Sequence, residues 1–261
     1  MAKTILITGS TDGIGLATAQ RLLEDGHRVL LHGRSEPKLQ QAEAQLAPIG
    51  TVTCFNADLS DLSAVRTLAA EVVSNYSSLD VLINNAGVFA TAQPTTASGL
   101  DIRFVVNTLA PVVLTDALLA LVRPQGRVIN LSSAAQAPVD LAAMQGRKVL
   151  TDNAAYAQSK LALTMWSRWQ AQQWGEQGPI MVAVNPGSFL ASKMVKDAYG
   201  VAGNDIGIGV DILVRAALSE SFANAAGRYF DNDSGAFAQP HPDALDDAKC
   251  EALMTTINQL I

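Results

Sequence analysis

The sequence predicts an α/β fold: a doubly wound sheet of about seven parallel strands with helices on both faces. Three observations carry that prediction. Short β-branched and leucine-rich runs alternate with longer stretches of helical periodicity along most of the chain. Of the 261 residues, 49% are apolar and only 16% charged, a composition that buries a substantial core and that no long disordered polymer has. Small and polar residues stand directly after the strand candidates, where the loops of a parallel sheet converge on a ligand crevice.

The first strand, Thr4–Thr8, ends in the turn Gly9-Ser10-Thr11-Asp12-Gly13-Ile14-Gly15 and leads to a helix over Gly15–Glu24. Arg28–His32 runs into Gly33-Arg34, and Glu36–Leu46 follows as a helix with apolar residues at three- and four-residue spacing. Val52–Phe55 precedes Asp58-Leu59 and the helix Leu62–Val73; Val81–Asn84 precedes Asn85-Ala86-Gly87 and the long helix Ile102–Leu121. Arg127–Leu131 stops at Ser132-Ser133, ahead of the helix Ala154–Trp174. Ile180–Val184 stops at Asn185-Pro186-Gly187, ahead of the helix Ile208–Ser219, and Arg228–Phe230 completes the strands. Ala134–Asn153 carries a proline, a glycine and mixed polarity, so it reads as a loop excursion beside the site. Residues 188–205 mix apolar anchors with glycine, as a lid over an apolar pocket or an ordinary surface helix does. No repeat, low-complexity tract or linker divides the chain, which reads as one domain over 1–261.

Composition excludes several functions. Eighteen basic and 24 acidic residues leave a net charge of −6, which argues against a nucleic-acid partner. Cys54 and Cys250 lie far apart without metal-ligand spacing, so neither a disulfide framework nor a metal site is expected. The apolar run before Gly9 is too short for a signal peptide, and no stretch is long enough to span a membrane, so the expectation is a cytoplasmic, soluble protein.

Two motifs carry chemistry. The glycines of Gly9-x3-Gly13-Ile14-Gly15 permit a tight strand-to-helix turn and let backbone approach a pyrophosphate at a helix N-terminus. In Tyr156-Ala157-Gln158-Ser159-Lys160 a four-residue step on a helix puts phenol and ammonium on one face. A free phenol has a pKa of about 10, and an adjacent cation stabilises phenolate, which suits proton exchange with an alcohol or ketone.

Together these motifs resemble the short-chain dehydrogenase/reductase family, whose pattern occurs here in order over roughly three quarters of the chain. The matching residues are Thr8-Gly9-x3-Gly13-Ile14-Gly15, Asn84-Asn85-Ala86-Gly87, Asn107, Ser133, Tyr156-x3-Lys160 and Pro186-Gly187. The long segment between Ser133 and Tyr156 resembles the branch that includes retinol dehydrogenases and carbonyl reductases. The resemblance implies a Rossmann-type fold and an oxidoreductase of the CH-OH/C=O class. It implies Tyr156 as proton donor and acceptor, and Lys160 as partner of the nicotinamide ribose that lowers the phenol pKa. Ser133, preferred to Ser132, would bind the substrate oxygen, and Asn107 would hold a water of the proton relay. Cofactor contacts are implied at Gly9, Thr11, Asp12, Gly13, Ile14, Gly15, Asp58, Leu59, Asn85, Ala86, Gly87, Pro186, Gly187 and Ser188.

After the second strand, Gly33-Arg34-Ser35 offers a guanidinium for a 2′-phosphate and no carboxylate for a 2′-hydroxyl, which favours NADP(H). Asp12 is an odd neighbour for a phosphate unless its carboxylate caps the turn or helix. The family commonly has a threonine where Ala191 stands; Ser188 or Ser192 is the candidate replacement. Met144, Phe189, Leu190, Met194 and Tyr199 are candidates to line an apolar cavity, which points to a lipophilic ketone, aldehyde or secondary alcohol. Trp166, Trp169 and Trp174 mark either core packing or, as the family implies, a two-fold interface in a homodimer or homotetramer. The rival functional class is a non-catalytic NADP(H) sensor acting through a protein partner, against which the complete Asn107, Ser133, Tyr156 and Lys160 set argues.

Overall fold

The computed structural model describes residues 1–188, 190 and 203–261. Among the described residues eight strands form one sheet: β1 (Thr4–Ile7), β2 (Arg28–Gly33), β3 (Val52–Asn56), β4 (Leu79–Asn84), β5 (Val122–Leu131), β6 (Ile180–Asn185), β7 (Tyr229–Asp231) and β8 (Ala236–Ala238). Their order is β3-β2-β1-β4-β5-β6-β7-β8. The first seven are parallel, as expected. The eighth is an addition to the expected seven and pairs antiparallel with β7, with Phe230 opposite Phe237.

The helices are α1 (Gly13–Glu24), α2 (Glu36–Leu46), α3 (Leu62–Asn75), α4 (Ile102–Phe104), α5 (Ala110–Leu118), α6 (Leu141–Met144), α7 (Asp152–Trp174), α8 (Ile206–Leu218) and α9 (Asp247–Leu260). Alternation along β1 builds two cores: Leu6 faces the layer of α3, α5, α7 and α9, while Ile5 and Ile7 face α1, α2 and α8. Burying both sheet faces is why the central strands read as continuous apolar runs rather than alternating ones.

The expected helix Ile102–Leu121 is broken by a π-turn, Val105–Leu109, centred on Asn107. Pro111 explains why the break falls there: four residues beyond Asn107, it lacks the N–H that would close a regular α-helical bond to the Asn107 carbonyl. The excursion 134–153 contains α6, and Met144 is fully buried in the core, so it does not line a substrate pocket. α9, absent from the sequence reading, packs against α7. Trp166 is fully buried, whereas Trp169 and Trp174 are half-buried, each packing part of its ring against the same core.

The chain reverses direction across the sheet between β1 and β4, which lie side by side, while β2 and β3 lie on one flank and β5 to β7 on the other. A crevice opens outside the carboxyl ends at such a switch. Among the described residues no helix is long and apolar enough to cross a membrane.

Candidate active site

The glycine turn is held from two sides. Asn85 Nδ2 donates to the carbonyls of Thr8 (2.8 Å) and Gly9 (2.9 Å), while Thr8 Oγ1 accepts the N–H groups of Asn85 (3.0 Å) and Ala86 (3.1 Å). The turns after β1 and β4 are thereby locked together. Gly9 has φ +65°, and a Cβ on Gly15 would lie 2.3 Å from the Gly9 carbonyl oxygen, so these positions require glycine. Asp12 caps α1 by accepting the Gly13 N–H at 2.8 Å, and its other oxygen stands 3.5 Å from Lys38 Nζ. The carboxylate expected to oppose a phosphate is therefore turned to cap duty and paired with a cation.

His32 braces the floor. Its Nδ1 accepts the Gly9 N–H (3.1 Å) and its Nε2 faces the Ala57 carbonyl (3.1 Å), joining the turns after β1 and β3. Burial pushes its pKa down to about 4, so the neutral tautomer with hydrogen on Nε2 satisfies both contacts at neutral pH.

On α7, Thr151 caps the N-terminus and the helical step brings Tyr156 and Lys160 to one side, with Lys160 Nζ 5.7 Å from the phenol ring centroid. Lys160 is buried and donates to the Leu131 carbonyl at 2.6 Å. Phe89, from the loop after β4, meets the Tyr156 ring edge-on at 4.9 Å between centroids. Asn107 spends its amide on structure: Oδ1 accepts the Val88 N–H (2.8 Å), and Nδ2 donates to the Val88 carbonyl (3.0 Å) and Ser159 Oγ (2.9 Å). Ser159 Oγ in turn donates to the Tyr156 carbonyl at 2.7 Å, so the π-turn is tied to the helix that bears the phenol.

Arg103 adds a second tie. Fully buried, it forks onto Asp101 (2.8 and 2.6 Å), pairs with Asp152 at the start of α7, and reaches the Phe89 carbonyl at 3.4 Å.

These elements surround one cavity of about 550 Å³. At one end stand Arg34 and Lys38 with Asp12 and Asp58; the glycine turn and Asn85 to Gly87 form the middle; Tyr156, Lys160 and Pro186 close the other end. Of the residues expected from sequence, Gly9, Thr11 to Gly15, Arg34, Asp58, Leu59, Asn85 to Gly87, Tyr156, Lys160 and Pro186 all line it. Asn107, Ser133, Gly187 and Ser188 do not. Ser132 is in the wall, yet its hydroxyl is committed to Thr164 Oγ1 at 2.6 Å. Ser133 is half-buried and accepts the Ala135 N–H at 3.1 Å.

The sequence reading missed His32, Lys38, Val88 and Phe89 as lining residues. Lys38, one helical turn beyond Arg34, carried a signal; Val88 and Phe89 belong to a loop without periodicity. Of the apolar candidates, Met144 and Leu190 are buried and are not among the lining residues, and Val88, Phe89, Ile102 and Val106 contribute to the apolar wall instead. Phe189, Ala191, Ser192, Met194, Tyr199 and most of the 188–205 lid lie outside the described residues.

The site and sheet define a dinucleotide-binding oxidoreductase. The short chain dehydrogenase family model matches residues 3–200, and the chain belongs to that family. It is 30% identical over 284 residues to human retinol dehydrogenase 13, spanning 99% of this chain and 84% of that protein. Among solved structures, a protein of Mycobacterium paratuberculosis superposes with a TM-score of 0.82 at 27% identity, covering 99% of this chain and 92% of that one. A short chain dehydrogenase from Burkholderia cenocepacia in complex with NADP gives 0.70 at 25% identity, covering 90% and 97%.

The buried Lys160 makes a prediction for stability. Burial lowers its pKa from 10.5 to about 8, so between those values the unfolded chain holds the proton that the folded chain releases, and stability rises with pH. The cost of burying the cation is fully present below pH 8 and fades toward 10.5. Lys160→Met removes this pH-dependent penalty but leaves the Leu131 carbonyl without its donor at either pH, so its effect on the unfolding free energy is expected to be more favourable at pH 7 than near pH 10 by up to roughly 3 kcal/mol. Urea unfolding at both pH values measures this; an identical change at both would contradict it.

Proposed function

We propose that residues 1–261 act as a cytoplasmic NADP(H)-dependent oxidoreductase that interconverts a carbonyl and an alcohol on a small, apolar substrate. The observation that carries this reading is the single cavity with Arg34 and Lys38 at one end and the Tyr156–Lys160 pair at the other. The residues fit a nicotinamide dinucleotide: glycine backbone leaves room at the centre, and two cations, with the Asp12 carboxylate turned to cap α1, suit a 2′-phosphate.

When bound, the nicotinamide supplies or accepts the hydride. The chain's residues orient the partner and move the proton. Tyr156 holds the proton that passes to the carbonyl oxygen, and in the reverse direction its phenolate receives it. The Lys160 ammonium, 5.7 Å from the phenol ring centroid, stabilises that phenolate and stays charged at neutral pH even with its pKa near 8. Ser133, which stands next to the wall residue Ser132 rather than in the cavity lining itself, is the serine assigned to donate to the substrate oxygen. Its Oγ already accepts the Ala135 N–H, so its own hydrogen is directed elsewhere, whereas Ser132 is bound to Thr164. Asn107 presents its backbone carbonyl to the relay water, since its side-chain amide is committed to Val88 and Ser159.

Phe89, Val88, Ile102 and Val106 make the substrate end apolar, which favours a lipophilic ketone or aldehyde over a phosphorylated one. Initial rates of NADPH consumption with apolar ketones, aldehydes and quinones test the reading. Turnover of apolar members and none of phosphorylated carbonyls is expected; preference for phosphorylated compounds would contradict the substrate class.

A further inference from the structure

The turn joining β7 to β8 grips the turn that follows β6. Ser188 donates its N–H to Asp233 Oδ1 (2.8 Å) and its hydroxyl to Asp233 Oδ2 (2.6 Å). Asn185 Nδ2 donates to Asp231 Oδ1 (2.8 Å) and Asp233 Oδ2 (2.9 Å). Asn232 Nδ2 donates to the Pro186 carbonyl at 2.9 Å, and its N–H bonds the Asn185 carbonyl at 3.1 Å. Between them Gly187, at φ +125°, turns its N–H toward Asn185 Oδ1 at 3.3 Å.

Every residue from Asn185 to Ser188 is thus fixed by side chains, mostly from a hairpin 45 positions later in sequence. Among the described residues, neither Asp231 nor Asp233 pairs with a lysine or arginine. Asp233 brings both oxygens to Ser188, with Oδ2 shared with Asn185, which sets the Ser188 backbone and rotamer together. Burial pushes the Asp233 carboxyl up, yet its bonds from Ser188 and Asn185 outweigh burial and hold it below the usual range, so it is anionic at neutral pH. Pro186, within the gripped turn, lines the cavity that also holds Tyr156 and Lys160 and follows β6, the neighbour of β5, whose last residue Lys160 contacts.

We propose that Asp233, acting through Ser188, is a positioning residue for the nicotinamide half of the cofactor, fixing the 186–188 turn against which that half rests. The proposal builds on the nicotinamide reading above. It also changes the part assigned to Ser188: its hydroxyl is committed to Asp233, so the turn's backbone rather than this side chain is what meets the cofactor.

The test compares two ligands on the full chain by titration: NADPH, which carries both halves, and 2′,5′-ADP, which carries only the adenosine half. Asp233→Ala is expected to weaken NADPH binding about 10-fold while 2′,5′-ADP changes less than about twofold. Asp233→Asn, which still accepts the Ser188 N–H, is expected to recover most of the loss. Ser188→Ala, which loses only the hydroxyl bond, should weaken NADPH about threefold and serves the same comparison if Asp233→Ala does not fold. Equal weakening of both ligands, or a folded Asp233→Ala with unchanged NADPH affinity, overturns the proposal. A wild-type chain that binds NADH and ADP-ribose but neither phosphorylated ligand contradicts the NADP(H) reading alone, and the Asp233 comparison is then read from that pair. Binding of neither pair overturns both.

Discussion

Replacing Tyr156 by phenylalanine is expected to lower the turnover of an apolar ketone by on the order of 1,000-fold while leaving NADPH affinity within about twofold. The substitution keeps the ring, its edge-on contact with Phe89 and its distance to Lys160, and removes only the oxygen that carries the proton. Hydride arriving at the carbonyl carbon then leaves an alkoxide with no proton donor beside it. Rates come from NADPH absorbance and affinity from fluorescence titration. Loss of both in parallel would mean that the phenol supports cofactor binding instead of proton transfer. Undiminished turnover would remove Tyr156 from the chemistry.

Arg34→Ala is expected to cut kcat/KM for NADPH about 100-fold and to change that for NADH less than about twofold. The asymmetry follows from where the guanidinium stands. It lines the end of the cavity reached from the C-terminus of β2, where Lys38 is the second cation but is shared with Asp12 at 3.5 Å. Lys38 is about half exposed and flexible, so it replaces little of the planar, bidentate recognition an arginine gives a phosphate. Steady-state kinetics with both cofactors measure the ratio, and an equal loss for both would contradict a 2′-phosphate site at Arg34.

The parts of the site that sequence reading located are those where a backbone constraint leaves a mark on residue type. Gly9 and Gly15 must be glycine because Ala86 and the Gly9 carbonyl occupy the space a Cβ needs. Tyr156 and Lys160 meet because four helical residues return to the same face. The two central halves of the sheet were legible for a similar reason, since strands buried on both faces appear as unbroken apolar runs.

What escaped was decided by contacts distant in sequence. β8 is only Ala236–Ala238, too short for an alternation to register, and it exists because Phe237 packs on Phe222 and Phe230 at 5.1 Å. α9 did have a signal, the helical spacing of Cys250, Leu253, Met254 and Ile257, obscured by the proline-rich turn before it. Met144 and Phe89 show the limit most clearly. Both are lone apolar side chains in irregular segments, yet one points into the core and the other onto the Tyr156 ring. No local pattern distinguishes them. The serine pair is similar: Thr164, one turn after Lys160, takes the Ser132 hydroxyl, a partner visible only once α7 lies against the end of β5.

The central claim is that this cavity passes hydride from NADPH to a carbonyl carbon beside Tyr156. The most direct measurement is label transfer: NADPH deuterated at C4 on one face, then on the other, is incubated with the wild-type chain and apolar ketones and aldehydes, and the alcohols are weighed by mass spectrometry. One deuterium at the carbinol carbon from one face only is expected, and none with Tyr156→Phe over the same period. Saturable NADPH binding with no labelled alcohol from any member of the panel would contradict it.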